Sequence, residues 1–140
     1  MSRAVFDTNV VVSGFLSPTG PPGRIVEWLR SGNVQAVLDD RIAAEYSEVL
    51  LRPVFQLPAA EVKLVLAAIR TRAFGVEIVP GQMVKGLPDP DDAPFLECAQ
   101  VAGVPLVTGN IRHFPKSVTK GVSVLTPAQF VTSLCGQPDL

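Results

Sequence analysis

Cysteine and histidine are scarce in this 140-residue chain: two of the former, Cys98 and Cys135, and one of the latter, His113. Without a CxxC pair or a second histidine, the soft ligands that close a zinc site are missing, and reduced thiols of a cytoplasmic protein are expected. Long apolar runs are also lacking. The stretches at 10–12 and 62–69 break off well short of the roughly 18–20 residues that a membrane span needs. The amino end, MSRAVFDTNVVVSGFL, has one Arg and an apolar stretch, but Asp7 and Asn9 interrupt it, which argues against an export signal. Neither charge is in excess: 12 basic residues stand against 13 acidic ones, for a net charge of −1. No basic face announces a polyanion partner, so any nucleic-acid role must rest on local features. Present in quantity are apolar residues, 47% of the chain against 18% charged. That composition excludes a disordered chain and supplies one domain with a full core.

Patterning predicts alternating strands and helices. Residues 3–6 are β-prone and end at Asp7, and a Ser/Pro/Gly-rich loop at 17–23 follows. A helix is expected over 24–30, stopped by Ser31-Gly32, then a strand over 34–38. Asp39 and Asp40 can cap a helix over 41–51 whose apolar face carries Ile42, Tyr46, Val49 and Leu50, and Pro53 closes it. Pro58 opens another over 59–73, with Val62, Val65, Leu66 and Ile69 as its stripe. A third strand is expected at 76–79 and a helix from Asp89–Asp92 to about Gly103. A strand at 106–107, a last strand at 122–125 and a final helix from Pro127 complete the chain. This alternation predicts an α/β fold, a mostly parallel sheet covered on both faces, as one domain over 1–135 with a short tail at 136–140.

In such a sheet, ligands bind beyond the carboxyl ends of the strands. Asp7 ends the first strand, Asn110 follows a later one, Asp92 opens a helix, and Glu45 lies about one turn into the helix after strand two. At about 100° per residue, Glu45 borders the apolar stripe while Glu48 turns towards solvent, where Arg52 is an i,i+4 partner. Asp7 interrupts Ala4-Val5-Phe6 and Val10-Val11-Val12, a costly place for a carboxylate unless a cation or strong donors compensate it. The competing account makes Asp7 a cap for the next turn. Asp89 and Asp91 are accounted for by capping and the helix dipole, whereas Asp92 stands over the buried face three and four residues before Phe95 and Leu96. Converging carboxylates without thiols form a hard-oxygen site for Mg²⁺ or Mn²⁺, ions suited to phosphoryl chemistry.

Four segments, AVFDTNVVVSGFL (4–16), EYSEVLLRPVF (45–55), DPDDAPFLECA (89–99) and PLVTGNIRHF (105–114), together resemble the PIN domain family, and within it the VapC-like toxins of toxin–antitoxin systems. The resemblance implies a three-layer α/β/α sandwich and an Mg²⁺- or Mn²⁺-dependent ribonuclease. Its acidic quartet falls on Asp7, Glu45, Asp92 and position 110, with the first three as metal ligands. It also implies a water nucleophile leaving a 5′-phosphate and a 3′-hydroxyl, a homodimer, and a small antitoxin partner. Asn110 departs from the quartet: its amide oxygen can accept from water but brings no charge, which favours one firmly held metal over two, with Asp91 or Asp89 as candidate substitutes. Asn9, Thr108 and Ser13 resemble the family's polar supporting residues. Arg112, His113, Lys116 and Lys120 form a local basic cluster suited to RNA phosphates, with a merely solvated loop as the alternative. Trp28, Tyr46 and Phe55 are candidates for base stacking, although their helical spacing suits core or interface positions. Two rival readings remain: a non-catalytic PIN-fold binding module, and a haloacid-dehalogenase-like phosphohydrolase, which would need an Asp where Asn9 stands.

Overall fold

Ala4, Val5 and Phe6 are consecutive and apolar, and such a strand is stable only in the middle of a sheet covered on both faces. The computed structural model, which describes residues 2–135, places β1 (Ser2–Phe6) there, with all three residues fully buried. Five parallel strands run in the order β3-β2-β1-β4-β5: β2 is Val34–Leu38, β3 Phe74–Gly75, β4 Leu106–Val107 and β5 Val124–Leu125. Helices α1 (Thr8–Leu16), α2 (Pro21–Ser31), α3 (Asp40–Leu50), α4 (Ala59–Arg72), α5 (Ala93–Ala102), α6 (Lys116–Thr119) and α7 (Pro127–Cys135) flank this sheet. The parallel sheet expected from the alternation, and the α/β/α sandwich that the family resemblance implies, are the observed architecture. α2 packs on β2 and α7, while α5 packs on β1, β2 and β4 from the other side. Phe6 meets Phe130 of α7 edge to face, with ring centroids 5.4 Å apart.

Helix α1 departs from expectation, since a strand followed directly by a loop leaves no room for it. Three successive valines favour extended backbone, but Val10, Val11 and Gly14 recur at helical spacing and are buried, and packing overrides the local preference. Gly14 allows the close approach of α1 to α2: a Cβ there would stand 2.4 Å from the Val26 side chain and 2.6 Å from the Pro22 carbonyl oxygen. α2 itself begins earlier than its apolar spacing indicates, because Pro21 is pre-set for a first helical position, and it ends at Gly32, in the left-handed region at φ 89°.

The third strand lies at 74–75 rather than 76–79. Its neighbour β2 ends at Leu38, whose carbonyl accepts from the Val76 amide at 3.0 Å, and past that point no ladder remains to pair with. β5 is likewise shorter than 122–125. Asp39 caps α3 by accepting from the Ile42 amide at 3.1 Å. Tyr46 is buried in the core, its hydroxyl donating to the Phe6 carbonyl, which removes it as a base-stacking group; Trp28 and Phe55 are partly buried against the same core. The tail at 136–140 lies outside the described residues.

Candidate metal centre

The carboxyl ends of β1 and β4 are joined where the Asp7 amide donates to the Val107 carbonyl at 2.9 Å. That bond sets Asp7 beside Thr108, which is completely buried and donates its hydroxyl to Asp7 Oδ2 at 2.8 Å. Asn9 is a strut between the two loops: its Nδ2 reaches Asp7 Oδ2 at 3.3 Å, and its Oδ1 accepts from the Gly109 amide at 3.1 Å. Asp7 stands at the N-cap of α1 without a capping side-chain hydrogen bond of good geometry, although the amides of Asn9 and Thr8 lie close enough to favour its charge.

Glu45 comes from α3 and accepts at Oε2 from the Thr8 hydroxyl, one residue past Asp7. Glu48, one turn on, is solvent-exposed and pairs with Arg52 at 2.8 Å. Asp92 ends a short 3₁₀ turn, Pro90–Asp92, and is buried at the entrance of α5. His113 Nδ1 lies 3.0 Å from Asp92 Oδ2. Asp89 caps the turn by accepting from the Asp91 amide at 2.9 Å, and Asp91 faces solvent.

Against this geometry, the sequence matches the family model of the PIN domain over residues 3–112. The chain belongs to the PIN domain family. No curated protein matches it. PIN domains are commonly nucleases acting on nucleic acid, generally with divalent metal ions, and at that coarse level this is a nuclease-type domain. The family assignment leaves the phosphohydrolase reading without support. Among the described residues, no helix is long and apolar enough to cross a membrane.

The electrostatics of this PIN domain show a site short of positive charge. Burial raises the pKa of Asp7, and the Thr108 hydroxyl offsets only part of that. Burial raises Glu45 too, against the Thr8 hydrogen bond, and the charges of Asp7 and Asp91 push it further. Asp92 is raised to about 6, first by burial, then by Asp7 and Asp89, with His113 pulling the other way. The charge of Asp7 thus acts on both other carboxylates. Each of the three has one oxygen held by a hydroxyl or ring nitrogen: Asp7 Oδ2 by Thr108, Glu45 Oε2 by Thr8 and Asp92 Oδ2 by His113.

As placed, no three His, Cys, Asp or Glu side chains among the described residues stand close enough to hold one ion. The donor set is hard oxygen throughout, and Mg²⁺ needs only one or two carboxylates, taking its other ligands from water and phosphate. By donor chemistry and shared negative field, then, the residues fit a divalent ion, in an open arrangement rather than a closed cage.

The remaining expected site residues fall into two groups. Asn110 accompanies Asp92: its Nδ2 is 2.9 Å from His113 Nε2, so both nitrogens of the histidine are engaged within the protein rather than free for phosphate. Arg112, Lys116 and Lys120 are exposed beyond it. Ser13 lines a cleft of about 320 Å³ with Asn9, Gly109 and Asn110 and makes no side-chain bond to the carboxylates.

Two supporting residues escaped the sequence reading. Thr8 was hidden by its informative neighbour Asp7. Glu97 is buried within α5, its Oε2 accepting from the Val84 amide at 2.9 Å and its Oε1 lying 2.8 Å from Arg41 Nη2, in contact without an aligned hydrogen bond. Arg41 also pairs with Asp39 at 2.7 Å. Burial works against the arginine's charge, but these two carboxylates outweigh it and raise its pKa. An acid inside the buried run Phe95-Leu96-Glu97-Cys98-Ala99 was the available signal.

Proposed function

We propose that this PIN domain is an Mg²⁺- or Mn²⁺-dependent endoribonuclease, with Asp7, Glu45 and Asp92 as the metal-holding carboxylates. The observation that carries this reading is the set of three raised-pKa carboxylates, each with one oxygen held by a hydroxyl or ring nitrogen of a neighbouring side chain. Two buried acids, Asp7 and Asp92, and a half-buried one, Glu45, are costly without a matching cation, and a divalent ion compensates them. When bound, such an ion orients the phosphodiester, makes water a better nucleophile and offsets the charge of the in-line transition state. The protein's share is positioning. Thr108 and Asn9 fix Asp7, Thr8 fixes Glu45, and Asn110 presents an unbonded Oδ1 able to accept from the attacking water. Arg112, Lys116 and Lys120 are exposed cations placed to meet RNA phosphates at the rim.

In the cell this nuclease acts as the toxin of a toxin–antitoxin pair, a cytoplasmic homodimer neutralised by a small antitoxin. That finer role is supported by the order and spacing of the four motif segments over 4–114. Expression should then arrest growth, and the Asp7→Asn chain should not. The neutral Asn110 favours a second reading, a binding module without catalysis. Millimolar Mn²⁺ separates the two: on the nuclease reading it raises Tm and supports RNA cleavage, and Asp7→Asn loses both effects while remaining folded. A wild-type protein indifferent to Mn²⁺, with Asp7→Asn indistinguishable from it, would leave only the binding module.

A further inference from the structure

Asp92 has no capping hydrogen bond from its own helix, and among the described residues the one side chain bonded to it is His113. An ionised carboxylate only accepts, so the proton between them belongs to Nδ1 of the ring. A neutral imidazole protonated at Nδ1 has its lone pair at Nε2, and the Nδ2 of Asn110 stands 2.9 Å from it as donor. The backbone N–H of Asn110 donates to Thr108 Oγ1 at 3.0 Å, and the Thr108 hydroxyl donates to Asp7 Oδ2 at 2.8 Å. Residues 108–113 thereby link two carboxylates that arrive on separate elements, Asp7 from the end of β1 and Asp92 from the entrance of α5.

We infer that Asn110 and His113 are a positioning pair: Asn110 fixes the ring of His113, and His113 holds Asp92 at a set place relative to Asp7. The pair explains the amide at position 110. An aspartate there would present only acceptors to Nε2, leaving ring and carboxylate opposed lone pair to lone pair unless the imidazole took a second proton. Asparagine and Nδ1-protonated histidine are complementary. His113 lies one residue beyond the segment matched to the family.

The catalytic consequence rests on the nuclease reading, but the pair itself does not, and His113 is the chain's single histidine. The ¹⁵N spectrum of the imidazole in metal-free protein at pH 8 is therefore a direct test. Nδ1 protonation, the minor tautomer of histidine in water, is expected, shifting towards the free-solution mixture in Asn110→Ala. A ring protonated at Nε2, or one unchanged by Asn110→Ala, overturns the inference whether or not the protein cuts RNA. In the active enzyme, His113→Ala should lower kcat about tenfold or more with KM for RNA little changed. His113→Asn, which keeps a donor near the Nδ1 position, should recover part of the loss. A rise in KM alone would mark His113 as a phosphate contact and contradict the assignment. If Asp92→Asn keeps full activity, the nuclease site is wrong, and the tautomer still decides the pair.

Discussion

Asp92 shows most clearly how one residue can cost stability and serve chemistry. Its pKa is raised from 3.8 to about 6 in the folded chain, so the folded state holds that proton more tightly than the unfolded state does. The resulting stabilisation is complete below about pH 4 and is lost as pH rises through about 6. At pH 8 the metal-free protein carries the charge at a net penalty. Asp92→Asn should therefore raise Tm at pH 8 by a few degrees and change it little at pH 4, while abolishing RNA cleavage. Thermal melts at the two pH values check this; a lower Tm at pH 8 would mean that protein donors already satisfy the carboxylate. Glu45 and Glu48 form a second comparison on one helix. Glu45→Gln should abolish cleavage, whereas Glu48→Gln loses only an exposed ion pair worth about 0.5 kcal/mol or less. Cleavage that survived the first change and not the second would reverse their assignment.

At the scale of elements, the Arg41–Glu97 contact ties α3, which carries Glu45, to α5, which begins at Asp92. The two ends of the pair differ in exposure: the Arg41 side chain is 43% exposed and that of Glu97 only 1%. Arg41→Met would strand a buried carboxylate and should cost roughly 2–4 kcal/mol. Glu97→Gln keeps an amide oxygen for the Val84 amide and leaves Arg41 its partner Asp39, so it should cost less, about 1 kcal/mol. Urea denaturation of both variants gives the order, and the reverse order would remove the cross-link. This contact also shows where sequence reading runs out. Glu97 stands in a visibly apolar run, but nothing local names an arginine on another helix as its partner. β2 was legible residue for residue, because VQAVL is bounded by turn and capping residues. α1 was not, because three valines speak for extended chain while the evidence for a helix is its packing on α2. The position of β3 depended on where its neighbour ends, which is a property of the sheet rather than of residues 76–79.

For the whole molecule, fold class and the edge that bears the carboxylates were readable, since strand–helix alternation dictates a parallel sheet and its carboxyl end gathers the loops. Asp7, Glu45 and Asp92 stood out because acids at the border of apolar patterns demand compensation. Of their supports, Thr108 was named only through the family resemblance, His113 was expected at a phosphate rather than at Asp92, and Thr8 was not named, because a polar residue in a loop acquires its partner only when distant strands meet. Net charge gave no hint of an RNA partner, and the exposed cations at 112, 116 and 120 are a local feature of one loop and helix. The central claim, metal-assisted hydrolysis of RNA at these three carboxylates, is tested most directly by the ends of the products. With Mg²⁺ or Mn²⁺ present, the purified chain should leave 5′-phosphate and 3′-hydroxyl termini, and chelation or Asp7→Asn should stop the reaction. Cleavage that persists in chelator and leaves 2′,3′-cyclic phosphates would contradict it, because the nucleophile would then be the RNA's own 2′-hydroxyl.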